Sequence, residues 1–198
     1  MKKTLICSFD DLFEGNDKWD KFIELHNEIP ELKITFFVNP GQCTEEFLLK
    51  IQVPWVELVY HAENHSGGFQ NWSKKETKEK LLKYVNKYNF KKGFKPPAYK
   101  WTENIINACN ELNFWMCSSP SVPFFVWKDG KWDSSLKLSA KKYWYTDPKA
   151  GFKKYKEYDE FYDHIQNKDF DKNIDELRKY YKDSQPNYKF ISEVIHYA

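Results

Sequence analysis

The stretch TLICSFDD, residues 4–11, is a short apolar run that ends in two adjacent acids. The acids interrupt the run before the roughly 7–15 apolar residues of a secretory signal core are complete, so we interpret it as a first β-strand. Two neighbouring carboxylates repel each other and are unfavourable at a strand end unless they are solvated, bind a metal or take part in a reaction. Taken alone, Asp10 and Asp11 are compatible with a solvated loop or with a functional site.

Strands and helices alternate along the chain beyond this stretch. Further strands are expected at 33–38, 56–60 and 114–117, and helices at 18–28, 44–52, 73–88 and 102–112, with caps at Asn16 or Asp17, Thr44, Ser73 and Thr102. A hairpin is expected around Asp129 and Gly130, a charged helical region at 155–182 with a break at 168–171, and a closing strand at 189–195. The alternation predicts a parallel sheet whose polar clusters follow strands, where α/β barrels place their active sites.

Composition narrows the class of protein. The 198 residues, 41% of them hydrophobic and 30% charged, fit one domain spanning 1–198. A net charge of +2 with no long basic run argues against a nucleic-acid partner, and no apolar segment approaches the ~20 residues of a membrane span. The four cysteines form no CxxC pair, which favours reduced thiols and a cytoplasmic location.

Three of the five histidines follow predicted strands, namely His61, His65 and His196. Two imidazoles four residues apart can converge on one ion, and a carboxylate added to them leaves coordination positions for water and substrate. The other two, His26 and His164, fall in predicted helices and are interpreted as ordinary packing or surface residues.

Five segments together resemble the NodB-type polysaccharide deacetylases of carbohydrate esterase family 4. They occur in that family's order and span nearly the whole chain: residues 8–11 (SFDD), 35–38 (TFFV), 61–66 (HAENHS), 94–97 (FKPP) and 195–196 (IH). The resemblance implies a distorted (β/α) barrel and removal of an N-acetyl or other N-acyl group from a sugar or glycan precursor. A cytoplasmic location would favour a soluble nucleotide-linked or lipid-linked substrate.

The resemblance also implies a role for individual residues. Asp11, His61 and His65 would bind a divalent metal ion, with Zn²⁺ the first choice and Co²⁺, Ni²⁺, Mn²⁺ or Fe²⁺ also compatible. Asp10 would be the general base, Lys95 would take the place of an arginine beside it, and His196 would be the general acid. The backbone N–H near Ala98 would help to stabilise the oxyanion.

Three positions depart from the family pattern: Leu12 replaces a glycine, Ala62 replaces a small or hydroxyl residue, and Lys95 replaces the arginine. Arg178 is the only arginine in the chain, so Lys95 is interpreted as a lysine standing in for it. An acidic partner for the catalytic histidine is left open among Asp129, Asp133 and Asp147. Among the tryptophans, Trp72 or Trp101 is expected to line the sugar cleft.

Two other functions are compatible with the same residues. A non-haem iron oxygenase also uses two histidines and one carboxylate, but it does not require Asp10 or His196. A non-catalytic carbohydrate-binding relative would keep the fold, and the lysine at position 95 is the observation that favours it.

Overall fold

The computed structural model describes residues 3–16 and 18–197 of the chain. Five helices are α1 (Trp19–Glu28), α2 (Glu45–Lys50), α3 (Lys74–Tyr88), α4 (Glu103–Glu111) and α5 (Phe170–Ser184). Twelve strands are β1 (Thr4–Leu12), β2 (Ile34–Val38), β3 (Val56–Tyr60), β4 (Gly93–Phe94), β5 (Trp115–Ser118), β6 (Phe125–Lys128), β7 (Lys131–Lys137), β8 (Lys142–Tyr145), β9 (Gly151–Lys154), β10 (Tyr158–His164), β11 (Asn187–Lys189) and β12 (His196–Tyr197). None of the helices in these two ranges is long and apolar enough to cross a membrane.

The strands form one large curled sheet and a separate hairpin. Along the large sheet the order is β12-β8-β5-β4-β3-β2-β1-β10-β9, and β11 also pairs with β1. The pairs from β8 through β5, β4, β3, β2 and β1 to β10 are parallel, whereas β9 and β12 join the two ends in antiparallel fashion. The architecture is a distorted (β/α) barrel that is left open between β9 and β12, and the hairpin is β6–β7.

The central strands are buried on both faces, as is usual for parallel sheets covered by helices. On the helix side Phe9 of β1 contacts Phe22 of α1, with ring centroids 4.8 Å apart, and both pack against Phe36 of β2. A second cluster includes Phe37 and Trp144, which belong to opposite parts of the sheet, so the concave side is also filled with side chains. Because side chains pack on both faces of these strands, the residues at the strand ends are held in defined positions.

Much of the order predicted from sequence is confirmed, including β2, β3, β5 and the first four helices. The capping box at the start of α3 is present, since the Glu76 backbone N–H donates to Ser73 Oγ at 3.2 Å and the Ser73 N–H donates to Glu76 Oε2 at 2.8 Å. The expected hairpin is β6–β7, which turns through Asp129 and Gly130. Helix α1 has Lys18 rather than Asn16 at its N-cap, and Asp17 lies outside the described residues.

Two predictions for the C-terminal third were wrong. Residues 158–164 form β10, a strand parallel to β1, rather than part of a helix. Its carboxylates misled the sequence interpretation, because Asp159, Glu160 and Asp163 are all at most 2% exposed and accept hydrogen bonds from Tyr180, Trp144 and Asn167 respectively. Residues 189–195 do not form a continuous strand: β11 ends at Lys189, a 3₁₀ turn covers Ile191–Glu193, and β12 follows at the far edge.

Candidate active site

The carboxyl ends of four strands converge on one polar cluster. Asp10 and Asp11 are in the last part of β1, His61 follows β3, Lys95 follows β4, and His164 ends β10. Parallel strands bring their carboxyl ends to one edge of a sheet, so residues that are more than 150 positions apart in sequence become neighbours.

An irregularity in β1 lets both acids face the same side. The pairing register between β1 and β2 shifts between Asp10 and Leu12, and Asp11 has a φ of 67°. Successive residues of a regular strand point to opposite faces, whereas a bulge re-aims a side chain. Asp11 Oδ1 and Asp10 Oδ2 consequently lie 3.5 Å and 3.9 Å from the same atom, His61 Nε2.

The three residues expected to bind metal are brought together. One ligand atom from each of Asp11, His61 and His65 lies within 4.8 Å of the others, with His65 Nε2 3.7 Å from Asp11 Oδ1. His61 is 1% exposed and Asp11 is 8% exposed, whereas the side chain of His65 is 51% exposed. The cluster is therefore closed on one side and open to solvent on the other.

The chemistry of these atoms fits a metal ion. His61 Nδ1 lies 2.6 Å from the carbonyl oxygen of Lys95, which can only accept, so Nδ1 carries the hydrogen and Nε2 presents a lone pair. His61 Nε2 and Asp11 Oδ1 are buried, and neither has a hydrogen-bond partner among the described residues. Burial lowers the pKa of His61, which keeps the imidazole neutral, as a ligand must be.

Asp10 is held by two other side chains. Lys95 Nζ lies 2.7 Å from both Asp10 Oδ1 and Oδ2, and the Tyr162 hydroxyl donates to Oδ2 at 2.8 Å. Burial on its own would raise the pKa of Asp10, but the charge of Lys95, helped by His61 and His164, lowers it below its usual range. Asp10 is thus an ionised, oriented carboxylate close to the candidate metal ligands.

Lys95 is enclosed by aromatic rings. Its side chain is 1% exposed, and Nζ lies 4.6 Å, 4.9 Å and 4.3 Å from the ring centroids of Phe37, Tyr99 and Tyr162. Burial opposes the charge on this amine, yet Asp10 raises the pKa of Lys95 above its ordinary value. The lysine stays charged, as an arginine in its place would.

The structure corrects the interpretation of His164, which is not an ordinary helix residue. Its Nε2 lies 2.9 Å from the Tyr162 hydroxyl, and its Nδ1 lies 3.5 Å from Asp11 Oδ2 and 3.9 Å from Asp10 Oδ2. Burial lowers the pKa of His164, but the hydrogen bond to Asp11 and the charge of Asp10 raise it above its usual value. An imidazole that holds a proton therefore faces both acids.

His196 is not brought to this cluster. It is on β12, where it pairs with Tyr143 of β8 and stacks on Trp144 with ring centroids 5.7 Å apart. Trp144 in turn contacts Tyr158, which begins β10 and pairs with Thr4 at the start of β1, so His196 lies towards the amino-terminal ends of the strands, whereas the polar cluster lies at their carboxyl ends. The sequence did contain a signal for His164, because His164 comes two residues after the aromatic pair Phe161 and Tyr162, which is typical of a strand. The acids around that pair made the segment resemble a charged helix instead.

The other expected site residues are also placed elsewhere. Asp129 forms the hairpin turn, Asp133 accepts from Ser135, and Asp147 accepts from the Lys149 backbone N–H.

The two tryptophans expected at the sugar cleft serve to pack the core. Trp101 is fully buried against Phe94 and Phe124. Trp72 is half-buried and stacks on Tyr60. The expectation for Trp101 was therefore wrong, because a side chain with no exposed surface cannot stack on a sugar.

Two cavities open beside the cluster of Asp11, His61 and His65. One of about 520 Å³ is lined by Asp11 and His65, and a second of about 260 Å³ lies between His65 and the Pro97–Ala98 turn. Ala98 lines this second cavity, is exposed and has a φ of 51°, a left-handed conformation that is strained for alanine. A larger cavity of about 920 Å³ lies at the opposite ends of the strands, near Trp55 and Tyr188, away from the convergent polar groups.

Comparison with solved structures finds the same architecture in carbohydrate esterases. A family 4 acetyl xylan esterase from Clostridium thermocellum, in complex with a cobalt ion, superposes with a TM-score of 0.61 at 13% identity, over 96% of this chain and 89% of that chain. The chain has the fold of these esterases. A peptidoglycan N-acetylglucosamine deacetylase gives a TM-score of 0.61 at 15% identity, over 97% of this chain and 87% of the other.

The fold is also shared by a protein without activity. A family 4 pseudoenzyme from Bacillus anthracis gives a TM-score of 0.60 at 14% identity, covering 98% of this chain and 65% of that chain. No protein-family model matches the sequence, and no curated protein matches it.

Proposed function

We propose that this protein is a metal-dependent hydrolase that removes an N-acetyl or related N-acyl group from a sugar or glycan precursor. The observation that carries the proposal is the convergence of Asp11, His61 and His65 next to a separate, ionised Asp10. The esterase and deacetylase named above support the carbohydrate class, because their fold covers almost the whole of this chain.

The metal would be held by Asp11, His61 and His65. Zn²⁺ is our first choice, and Co²⁺, Ni²⁺, Mn²⁺ and Fe²⁺ also suit nitrogen and oxygen ligands. A bound divalent ion would supply Lewis-acid activation of water and of the acyl oxygen. The half-exposed His65 leaves the ion accessible to a substrate in the adjoining cavities.

Asp10 has the geometry of a general base. Its carboxylate is ionised, is fixed by Lys95 and Tyr162, and lies beside the proposed ligands without replacing one of them. It would accept the proton of the attacking water. Lys95 holds the carboxylate in place and compensates its charge when it is ionised.

His164 takes the role of general acid in this proposal, in place of His196. Its Nδ1 faces both acids, and the hydrogen bond to Asp11 and the charge of Asp10 raise the pKa of the imidazole above its ordinary value, which favours the protonated form. That proton would pass to the departing amine as the carbon–nitrogen bond breaks. An amide needs this step more than an activated ester, whose leaving group departs without a proton.

The test compares two histidines on two substrates. Metal-loaded His164→Ala should lose about 100-fold in kcat on an N-acetyl sugar, in line with general-acid effects, but much less on an aryl acetate. His196→Ala is the matched control and should stay close to wild type on both, because His196 stacks on Trp144 towards the amino-terminal ends of the strands, away from the polar cluster. A 100-fold loss in His196→Ala, with His164→Ala unaffected, would refute the assignment.

A carbohydrate-binding protein without activity is the second candidate. The likeness to a pseudoenzyme and the lysine at position 95 favour it. Asp10→Asn separates the candidates, because it should abolish acyl release while keeping the metal, whereas sugar binding by a non-catalytic protein would not depend on Asp10. Absence of metal-dependent acyl release by the wild type, across acetylated xylan and N-acetylglucosamine oligomers, would support the binding protein.

A further inference from the structure

The hydroxyl of Tyr162 lies at the centre of the polar cluster. Tyr162 is on β10, is 1% exposed, and has three partners for one oxygen atom: Asp10 Oδ2 at 2.8 Å, His164 Nε2 at 2.9 Å and Lys95 Nζ at 3.2 Å. No role was assigned to it from the sequence. Its hydroxyl contacts both the proposed base and the proposed acid.

Hydrogen-bond counting decides the direction of each contact. A phenol has one hydrogen to donate, an ammonium group can only donate, and an ionised carboxylate can only accept. Lys95 therefore donates to the Tyr162 oxygen, and the phenol hydrogen goes to Asp10. The remaining contact is satisfied only if His164 Nε2 carries a hydrogen and donates it to the same oxygen.

Two further observations support this arrangement. Burial, strengthened by the charge of Asp10, raises the pKa of Tyr162 well above its ordinary value, so the phenol keeps its hydrogen. The backbone of His164 is held independently, since its N–H donates to Asp163 Oδ1, and Asp163 is itself held by Asn167 and Asn173. The backbone of β10 at His164 therefore does not depend on Tyr162, and the contact with Tyr162 acts on the orientation of the His164 ring.

We infer that Tyr162 is a positioning residue that keeps one hydrogen on His164 Nε2, so that Nδ1 is the nitrogen that carries the second hydrogen of the imidazolium and gives it up to the reacting groups. Nδ1 lies 3.5 Å from Asp11 Oδ2, at the edge of the proposed metal site. The choice of Nδ1 as the reactive nitrogen rests on the proposed function, but the tautomer itself does not.

The first test reads the tautomer directly, in metal-free protein. Nitrogen-15 NMR distinguishes a protonated from an unprotonated ring nitrogen, and the signals of His164 are assigned as those lost in His164→Gln. Neutral His164 of the wild type should carry hydrogen on Nε2, and Tyr162→Phe should shift the population towards hydrogen on Nδ1. Hydrogen on Nδ1 in the wild type would overturn the inference, and this result is available even if the variant does not fold.

The second test uses kinetics. Tyr162→Phe should lower kcat on an N-acetyl sugar roughly 10-fold, a part of the 10²–10⁴ that a general acid contributes, with KM unchanged and a smaller loss on an aryl acetate. Tyr188→Phe is a matched control, since Tyr188 is a buried tyrosine at the opposite end of the strands. Equal losses on both substrates, or none, would refute the positioning role.

The two tests separate this inference from the proposed function. A wild type that releases no acyl group would refute the proposed function, and the nitrogen spectrum would still decide the tautomer. A wild type that is active, with His164 unaffected by the loss of the phenol, would refute the inference alone.

Discussion

Replacing Lys95 with methionine is the perturbation with the largest expected effect on stability. The lysine and its partner Asp10 are both almost completely buried, with 1% and 4% of their side chains exposed, and the variant leaves the carboxylate with Tyr162 as its remaining neutral donor. Removing one partner of a buried ion pair costs about 3–5 kcal/mol. We expect Lys95→Met to lower the free energy of unfolding of the metal-free protein by this amount at pH 8.

The loss should depend on pH, with a sign that follows from the pKa of Asp10. In the wild type this pKa is lowered, so the carboxylate contributes stability that is present above the unfolded value of about 3.9 and is lost as the pH falls. Without Lys95, burial raises the pKa of Asp10, so its protonation at low pH relieves the unpaired charge. The difference between the two proteins should therefore widen from pH 5 to pH 8.

Chemical denaturation of a double-mutant cycle measures this directly. Asp10→Asn combined with Lys95→Met should cost less than the sum of the single changes, by about 2 kcal/mol or more, because the residues are in contact. Additive effects, or a Lys95→Met loss that does not change with pH, would refute the pairing. Lys95→Arg should cost about 1–3 kcal/mol of stability, because the aromatic rings around Nζ leave little room for a larger group.

Two further predictions concern pH and metal. Burial raises the pKa of Glu160 to about 7, so the stability that the protonated carboxyl contributes is fully present below the unfolded pKa of about 4.3. On the order of 3 kcal/mol of this stability is lost as the pH rises to 7. Glu160→Gln should flatten this part of the curve of stability against pH, and an unchanged curve would contradict the assignment. Calorimetric titration with Zn²⁺ should show weaker binding for both His61→Ala and His65→Ala. Only His61→Ala should also destabilise the metal-free protein, by about 1–3 kcal/mol, because it leaves the buried carbonyl of Lys95 without its hydrogen-bond partner. Undiminished metal binding in the double variant would exclude the site.

The first half of the fold could be predicted from sequence because local signals and burial agree there. Strands β1 to β3 are apolar runs that end in polar residues, and the capping box of Ser73 and Glu76 marks the start of α3 without reference to the rest of the molecule. For the same reason Asp10, Asp11 and His61 could be singled out, since they lie at the ends of recognisable strands, whereas Lys95 was singled out only by the resemblance of residues 94–97 to a family motif, because β4 has just two residues.

The C-terminal third could not be predicted because its strand carries acids whose partners are distant in sequence. Asp159 accepts from Tyr180 and Glu160 accepts from Trp144, so each buried carboxylate is stabilised by a residue 16 or more positions away. A charged segment of this kind resembles a solvated helix until those partners are known. The sequence therefore pointed to His196, which follows a run that only looks like a strand, whereas the structure places His164 beside the acids of β1.

The lysine at position 95 and the tyrosine at position 162 are best understood together. A lysine supplies one point charge, and here one Nζ atom lies 2.7 Å from both oxygens of Asp10, so it balances the charge without fixing the plane of the carboxylate. The Tyr162 hydroxyl adds the directional donor that the lysine lacks, and it accepts from Lys95 as well. Lys95 thus supplies the positive charge and Tyr162 the directional hydrogen bond, whereas a guanidinium group would provide both. Because the same hydroxyl also contacts His164, the orientation of the base and that of the acid depend on one atom, and losing it should disturb both.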